Sequence, residues 1–77
     1  MYISIADFII HVDESLTREQ LDRLQNAVRE NTCVVSAATG DRTPHLMLIA
    51  YNPDCANARE ILDGVTSQGL RATALGL

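Results

Sequence analysis

Two apolar stripes of helical period, each entered through a helix-capping signal, are interleaved with four short strand-like runs, and few folds accept that order. Leu21, Leu24, Ala27 and Val28 form the first stripe, the spacing of one buried helix face. Ala58, Ile61, Leu62 and Val65 form the second, at i, i+3, i+4 and i+7. Thr17-Arg18-Glu19-Gln20 opens the first helix as a capping box, its Thr hydroxyl and Gln side chain placed to satisfy free N–H groups. That helix is expected to run to about Asn31, with Arg18, Glu19, Asp22, Arg23, Asn26, Arg29 and Glu30 on its outer face. Glu19 and Arg23 stand four apart in the favourable order. Asn57, with Glu60 three residues on, opens the second helix, and Gly69 stands where a left-handed C-terminal cap is wanted.

The strand-like runs lie between these helices. Tyr2 to Val12 alternates Phe8, Ile10 and Val12 with Asp7, Ile9 and His11. Val34 to Thr39 and His45 to Tyr51 flank the turn signals of Gly40 to Pro44. Leu70 to Leu77 is a last short strand. The order is β-α-β-β-α-β, in which two right-handed crossovers give an α+β, ferredoxin-like sandwich. Its antiparallel sheet has the expected strand order 4-1-3-2, with two helices on one face and the other face open.

Bulk properties narrow the function classes. Seventy-seven residues make a single domain, and a chain this short buries only ~60% of its unfolded surface. Oligomerisation would help it. The net charge of −4 provides no basic field for phosphates, so neither nucleic acid nor an anionic membrane is expected as a partner. No apolar stretch approaches the ~20 residues that span a bilayer. The opening Met1-Tyr2-Ile3-Ser4-Ile5-Ala6-Asp7 lacks the positive start of a signal peptide, and the chain is read as cytoplasmic.

Leu48-Ile49-Ala50-Tyr51-Asn52-Pro53 is followed after fifteen residues by Gly69-Leu70-Arg71-Ala72. This resembles heavy-metal-associated domains, small copper and mercury carriers and transport-ATPase modules. In that family the third strand typically ends in Tyr-Asp/Asn-Pro and the second helix in Gly-Tyr/Phe-x-Ala. Leu24-x-x-Ala27-Val28 is similar to the family's Ile-Glu-x-Ala-Leu segment. The resemblance covers roughly residues 8 to 75. It implies that Thr17 and Gln20 stand at the two metal-binding cysteines of Gly-Met-Thr-Cys-x-x-Cys, with Glu14-Ser15-Leu16 replacing Gly-Met-Thr. Two thiolates at a helix start bind Cu(I) or Hg(II), whereas a Thr hydroxyl and a Gln amide are weak neutral ligands. The resemblance therefore implies a divergent member without the usual soft-metal site, and no cofactor is expected.

Other candidates are weighed on chemistry. His11 and His45 are expected at the same end of the sheet as the Asp13–Thr17 loop, and with Asp13, Glu14 and Met47 could form a site for Zn(II) or Cu(II). Alternation puts His11 with the open face and His45 with the helix face, which argues against convergence. Cys33 and Cys55 are expected at the opposite end, too few and too far apart for a disulfide scaffold. They read as free cysteines acting as small hydrophobes, with a thiol pair or redox site as the alternative. Asp13-Glu14 reads as a solvated turn. Met1 and Met47 form no methionine metal box. Nothing resembles a catalytic triad or a phosphate loop, so no enzyme is expected.

The open face carries the functional expectation. Ile9, Leu46 and Leu48, with Ala50, should point away from the helices, and a contiguous apolar patch usually marks an interface. Tyr2, Ile3, Leu75 or Leu77 could instead fold over it. The reading is a non-catalytic interaction or regulatory module that forms a homodimer or docks a protein partner. The alternative is a metal-binding or delivery protein using His11, His45 or Cys33/Cys55. An accessory subunit of a larger complex is a third reading.

Overall fold

The computed structural model describes residues 4–75. The elements are β1 (Ala6–Val12), α1 (Arg18–Arg29), β2 (Val34–Gly40), β3 (Thr43–Tyr51), α2 (Ala58–Thr66) and β4 (Ala72–Leu75). The sheet order is β2-β3-β1-β4 with antiparallel pairings throughout, the ferredoxin-like arrangement expected from the sequence.

Alternation on the strands and the stripes on the helices meet in one core. Phe8, Ile10 and Val12 of β1 and Met47, Ile49 and Tyr51 of β3 face Leu24, Val28, Ala58, Ile61 and Val65. The Phe8 and Tyr51 rings meet edge to face, 5.5 Å between centroids, a geometry that aligns ring quadrupoles favourably. Gly69 takes φ +86°, a left-handed conformation without a Cβ penalty that closes the turn following α2 (Ala58–Thr66).

Three local expectations are corrected. β1 begins at Ala6, so Ser4 and Ile5 of the expected run lie outside it, because its register ends at Ala6↔Tyr51 and β3 goes no further. Tyr2 and Ile3 lie outside the described residues, as do Met1, Gly76 and Leu77. The β2–β3 hairpin is tighter than the turn signals suggest, with Gly40 paired to Thr43. A Cβ at Gly40 would come within 2.9 Å of the Thr43 hydroxyl, so a larger residue there would require the Thr43 side chain to turn aside. Pro44 fits inside β3 because β1 pairs only as far as Leu46, leaving one edge open.

The outer face of α1 is also less independent than its pattern implies. Arg29 donates from Nε and Nη2 to the Ala37 carbonyl, at 3.1 and 2.8 Å. Gln25 donates to the Thr39 hydroxyl at 2.9 Å. Both tie α1 to β2.

Candidate functional site

Three regions carry the candidate residues: the sheet end at the Asp13–Thr17 loop, the opposite end, and the open face.

At the first end, the capping box forms as expected. Gln20 N–H donates to Thr17 Oγ1 at 3.2 Å, and Thr17 N–H donates to Gln20 Oε1 at 2.8 Å. Both side chains are thereby engaged with the backbone, and their free capacity is that of neutral oxygen and amide groups. This donor set does not fit a soft cation. Glu14 is not the solvated turn residue expected from sequence. Its carboxylate accepts the Arg71 N–H through both oxygens at 3.0 Å, and Asp13 N–H donates to the Arg71 carbonyl at 2.8 Å. The loop is thus fastened to the start of β4. Nothing local in the sequence signals this bond, since its partners lie far apart in the chain.

His11 and His45 stand at this same end, and the alternation argument against their convergence is overturned. Their rings stack at 6.0 Å between centroids with 20° between planes. The β1–β3 ladder runs only to His11↔Leu46, so His45 lies past its last pair and reaches across the strand end. Its Nδ1 lies 2.7 Å from the Val12 carbonyl, and Nδ1 of His11 lies 3.1 Å from Asp13 Oδ1. A carbonyl or carboxylate oxygen only accepts, so each ring carries a proton on Nδ1, and the neutral form of either ring has its lone pair on Nε2. Among the described residues, however, no group of three or more His, Cys, Asp or Glu is gathered to hold a metal ion.

At the opposite end, Cys33 and Cys55 form a disulfide with Cα atoms 5.4 Å apart. This corrects their reading as free cysteines, while both stand at the sheet end expected for them. They are 22 residues apart in sequence, but Cys33 immediately precedes β2 and Cys55 follows the turn after β3, and Val34 pairs with Tyr51. The hairpin brings them together. A disulfide sulfur is not a thiolate, so in this state neither is a metal ligand.

The open face carries one apolar row across the whole sheet: Leu75 beside Ile9, Ile9 beside Leu48, Leu48 beside Ala38. Leu48 is 54% and Leu75 44% exposed; Ile9 and Leu46 are half-buried. Leu75 therefore extends the row rather than covering it. The other proposed covers, Tyr2, Ile3 and Leu77, lie outside the described residues. Val35, in the irregular start of edge strand β2, adds a further exposed apolar side chain.

Solved structures match this arrangement over nearly the whole chain. A copper-binding domain of the P-type ATPase HMA7 superposes with TM-score 0.81 at 13% identity, covering 91% of this chain and 93% of that one. Oxidised MerP from Ralstonia metallidurans gives 0.82 at 7% identity, covering 95% and 100%. The chain has the fold of heavy-metal-associated domains. A third neighbour, the CsoZ metallochaperone, gives 0.77 at 17% identity over 91% of this chain and 99% of its own. No protein-family model matches the sequence, and no curated protein does. No helix among the described residues is long and apolar enough to cross a membrane.

Proposed function

We propose that this chain is a non-catalytic module of heavy-metal-associated fold that acts by docking through its open sheet face, first of all onto a second copy of itself. The reading has no soft metal in the loop before α1, and neither nucleic acid nor membrane as partner. The observation that carries it is the apolar row of Leu75, Ile9, Leu48 and Ala38 spanning all four strands. Burying that row against a second copy would shield apolar surface that a chain of this size leaves in water. Sedimentation equilibrium tests it. A dimer that Leu48→Glu returns to monomer supports the reading; a monomer at the highest concentrations, for the full chain, defeats the self-association.

A second reading is favoured by the histidine pair. Each ring gives its Nδ1 proton to an oxygen, the orientation by which imidazoles are usually held for a metal at Nε2. On this reading the chain binds Zn(II) or Cu(II) at His11 and His45. Titration with Zn(II), compared with a His11→Ala/His45→Ala variant, decides it: one ion lost with both rings supports the site, and unchanged or absent uptake removes it.

We place the module in the cytoplasm as part of the first reading. Cytosolic thiol pools keep most cysteine pairs reduced, so the redox state of Cys33 and Cys55 in freshly alkylated cells bears on that placement. A pair trapped wholly as disulfide would move the protein to an oxidising compartment.

A further inference from the structure

We propose that Cys33 and Cys55, once reduced, form a two-thiolate site for a single soft, thiophilic cation of low coordination number. The site lies at the sheet end opposite the Asp13–Thr17 loop, and it stands independently of docking through the open face.

The argument begins with what holds the two cysteines together. Asn52 N–H donates to the Cys33 carbonyl at 2.9 Å, and the Asn52 carbonyl accepts from Cys55 N–H at 3.1 Å and Ala56 N–H at 3.2 Å. One residue thus ties the backbones of both cysteines. The Asn52 side chain accepts from Asp54 N–H at 2.9 Å, and Asn31 Oδ1 accepts from Cys33 N–H at 2.9 Å. The neighbouring Val34↔Tyr51 pair closes the same end of the hairpin. None of these bonds needs the sulfurs. Breaking the disulfide therefore leaves two thiols on Cα atoms held near their present 5.4 Å.

The pair is open to a reductant, since Cys55 is exposed and Cys33 half-buried. A small dithiol supplies the electrons. Its thiolate attacks Sγ of Cys55, the Cys33–Cys55 bond breaks, and Cys33 leaves as a thiolate. The second thiol of the reductant then displaces Cys55. The reductant ends as a cyclic disulfide, and its two protons pass to the cysteines. With the bond gone each sulfur turns about its own χ1. The two can then flank one ion between them.

Ligand number decides the class of ion. Zinc asks for four ligands, and among the described residues no third His, Cys, Asp or Glu is gathered with these two. Two sulfurs suffice for a soft cation that accepts low coordination. Binding releases both thiol protons.

Hg(II) is the probe. The full chain is reduced with dithiothreitol, freed of it by anaerobic gel filtration, loaded with one equivalent of mercuric chloride, and weighed by native mass spectrometry. The expected result is one mercury per chain with the loss of two protons, retained against a large excess of a monothiol competitor. The oxidised chain takes up none. Cys33→Ser and Cys55→Ser give the ion up to the competitor, and the His11→Ala/His45→Ala variant keeps it. Far-UV circular dichroism accompanies each sample. The comparison of oxidised with reduced wild type stands even if a serine variant does not fold. A reduced chain that has lost its native spectrum overturns the inference, as does one that surrenders mercury as readily as the single variants.

Discussion

The two ends of this sheet are closed by different chemistry. At the Asp13–Thr17 end, closure is by reciprocal hydrogen bonds: the Thr17–Gln20 box, and Glu14 with Asp13 against Arg71. At the other end, closure is covalent, with Asn52 holding the same cysteines through their backbones. Sulfur is therefore absent from the helix-start loop that the family resemblance singles out, and present at the far end of the sheet. A fold of this kind fixes where its ends are, and leaves open which end carries which chemistry.

The contrast breaks most sharply if the covalent end is not the stronger constraint. A disulfide spanning 22 residues should contribute about 3 kcal/mol through the entropy of the unfolded chain. Urea unfolding with and without reductant measures it. A domain of this length has a total stability on the order of 4–12 kcal/mol, so the reduced chain should stay folded at room temperature with a markedly lower midpoint. An unchanged midpoint would mean that the Asn52 bonds alone close that end.

Glu14 provides the next test, at the hydrogen-bonded end. Glu14→Ala removes the acceptor of the Arg71 N–H and should lower stability by about 1–2 kcal/mol, as for other bonds to a charged group near the surface. Glu14→Gln keeps one acceptor and should lose less. Equal losses in the two variants would show that the carboxylate's charge carries the bond, and that neither a neutral acceptor nor the side chain's bulk replaces it.

How much of this was legible in the sequence depends on the range of the interaction. Thr17 and Gln20 are three residues apart, and their mutual capping was readable because both partners sit in one motif. Phe8, Ile10 and Val12 were readable as core because alternation is local. Glu14 and Arg71 are separated by 57 residues, and no periodicity links them. Cys33 and Cys55 are 22 apart in sequence; strand boundaries put both at one sheet end, but bonding distance depends on the register of the β2–β3 hairpin. His45 was misjudged for a different reason. Face alternation holds inside a ladder, and His45 lies just past the last β1–β3 pair. The apolar row on the open face was partly visible in Ile9, Leu46 and Leu48, but its full width needed the pairing of Leu75 with Ile9.

A smaller effect is expected at Thr17. Thr17→Ala removes one half of the capping box and should cost about 1 kcal/mol in thermal or urea unfolding. The informative variant is Thr17→Cys/Gln20→Cys. It forfeits the box, so its stability should fall by a similar amount, yet it sets two thiols at a helix start, where thiolate charge is favoured. Uptake of one Cu(I) by that variant in the presence of blocked Cys33 and Cys55 would show that the backbone of the loop remains fit for the ion, and that the capping side chains alone account for its exclusion. A variant that caps poorly and also fails to bind would place the cause in Glu14-Ser15-Leu16, the segment anchored to β4.

The least change in stability is expected at His11. Its ring is partly exposed, and its hydrogen-bond partner, Asp13, is more exposed still. Removing such a surface pair seldom moves stability beyond about 0.5 kcal/mol. His45 differs in one respect, because its Nδ1–H satisfies the Val12 carbonyl at a part-buried position. His45→Ala should therefore lower stability more than His11→Ala, by about 1 kcal/mol in urea unfolding. If the two variants are equally mild, the Val12 carbonyl has found water in place of the ring, and that end of the sheet is wetter than its hydrogen bonds suggest. A His11→Ala loss as large as that at His45 would instead make the stacked rings a single structural unit, tying the helix-start loop to the sheet through Asp13 and weakening the case for leaving both Nε2 atoms free.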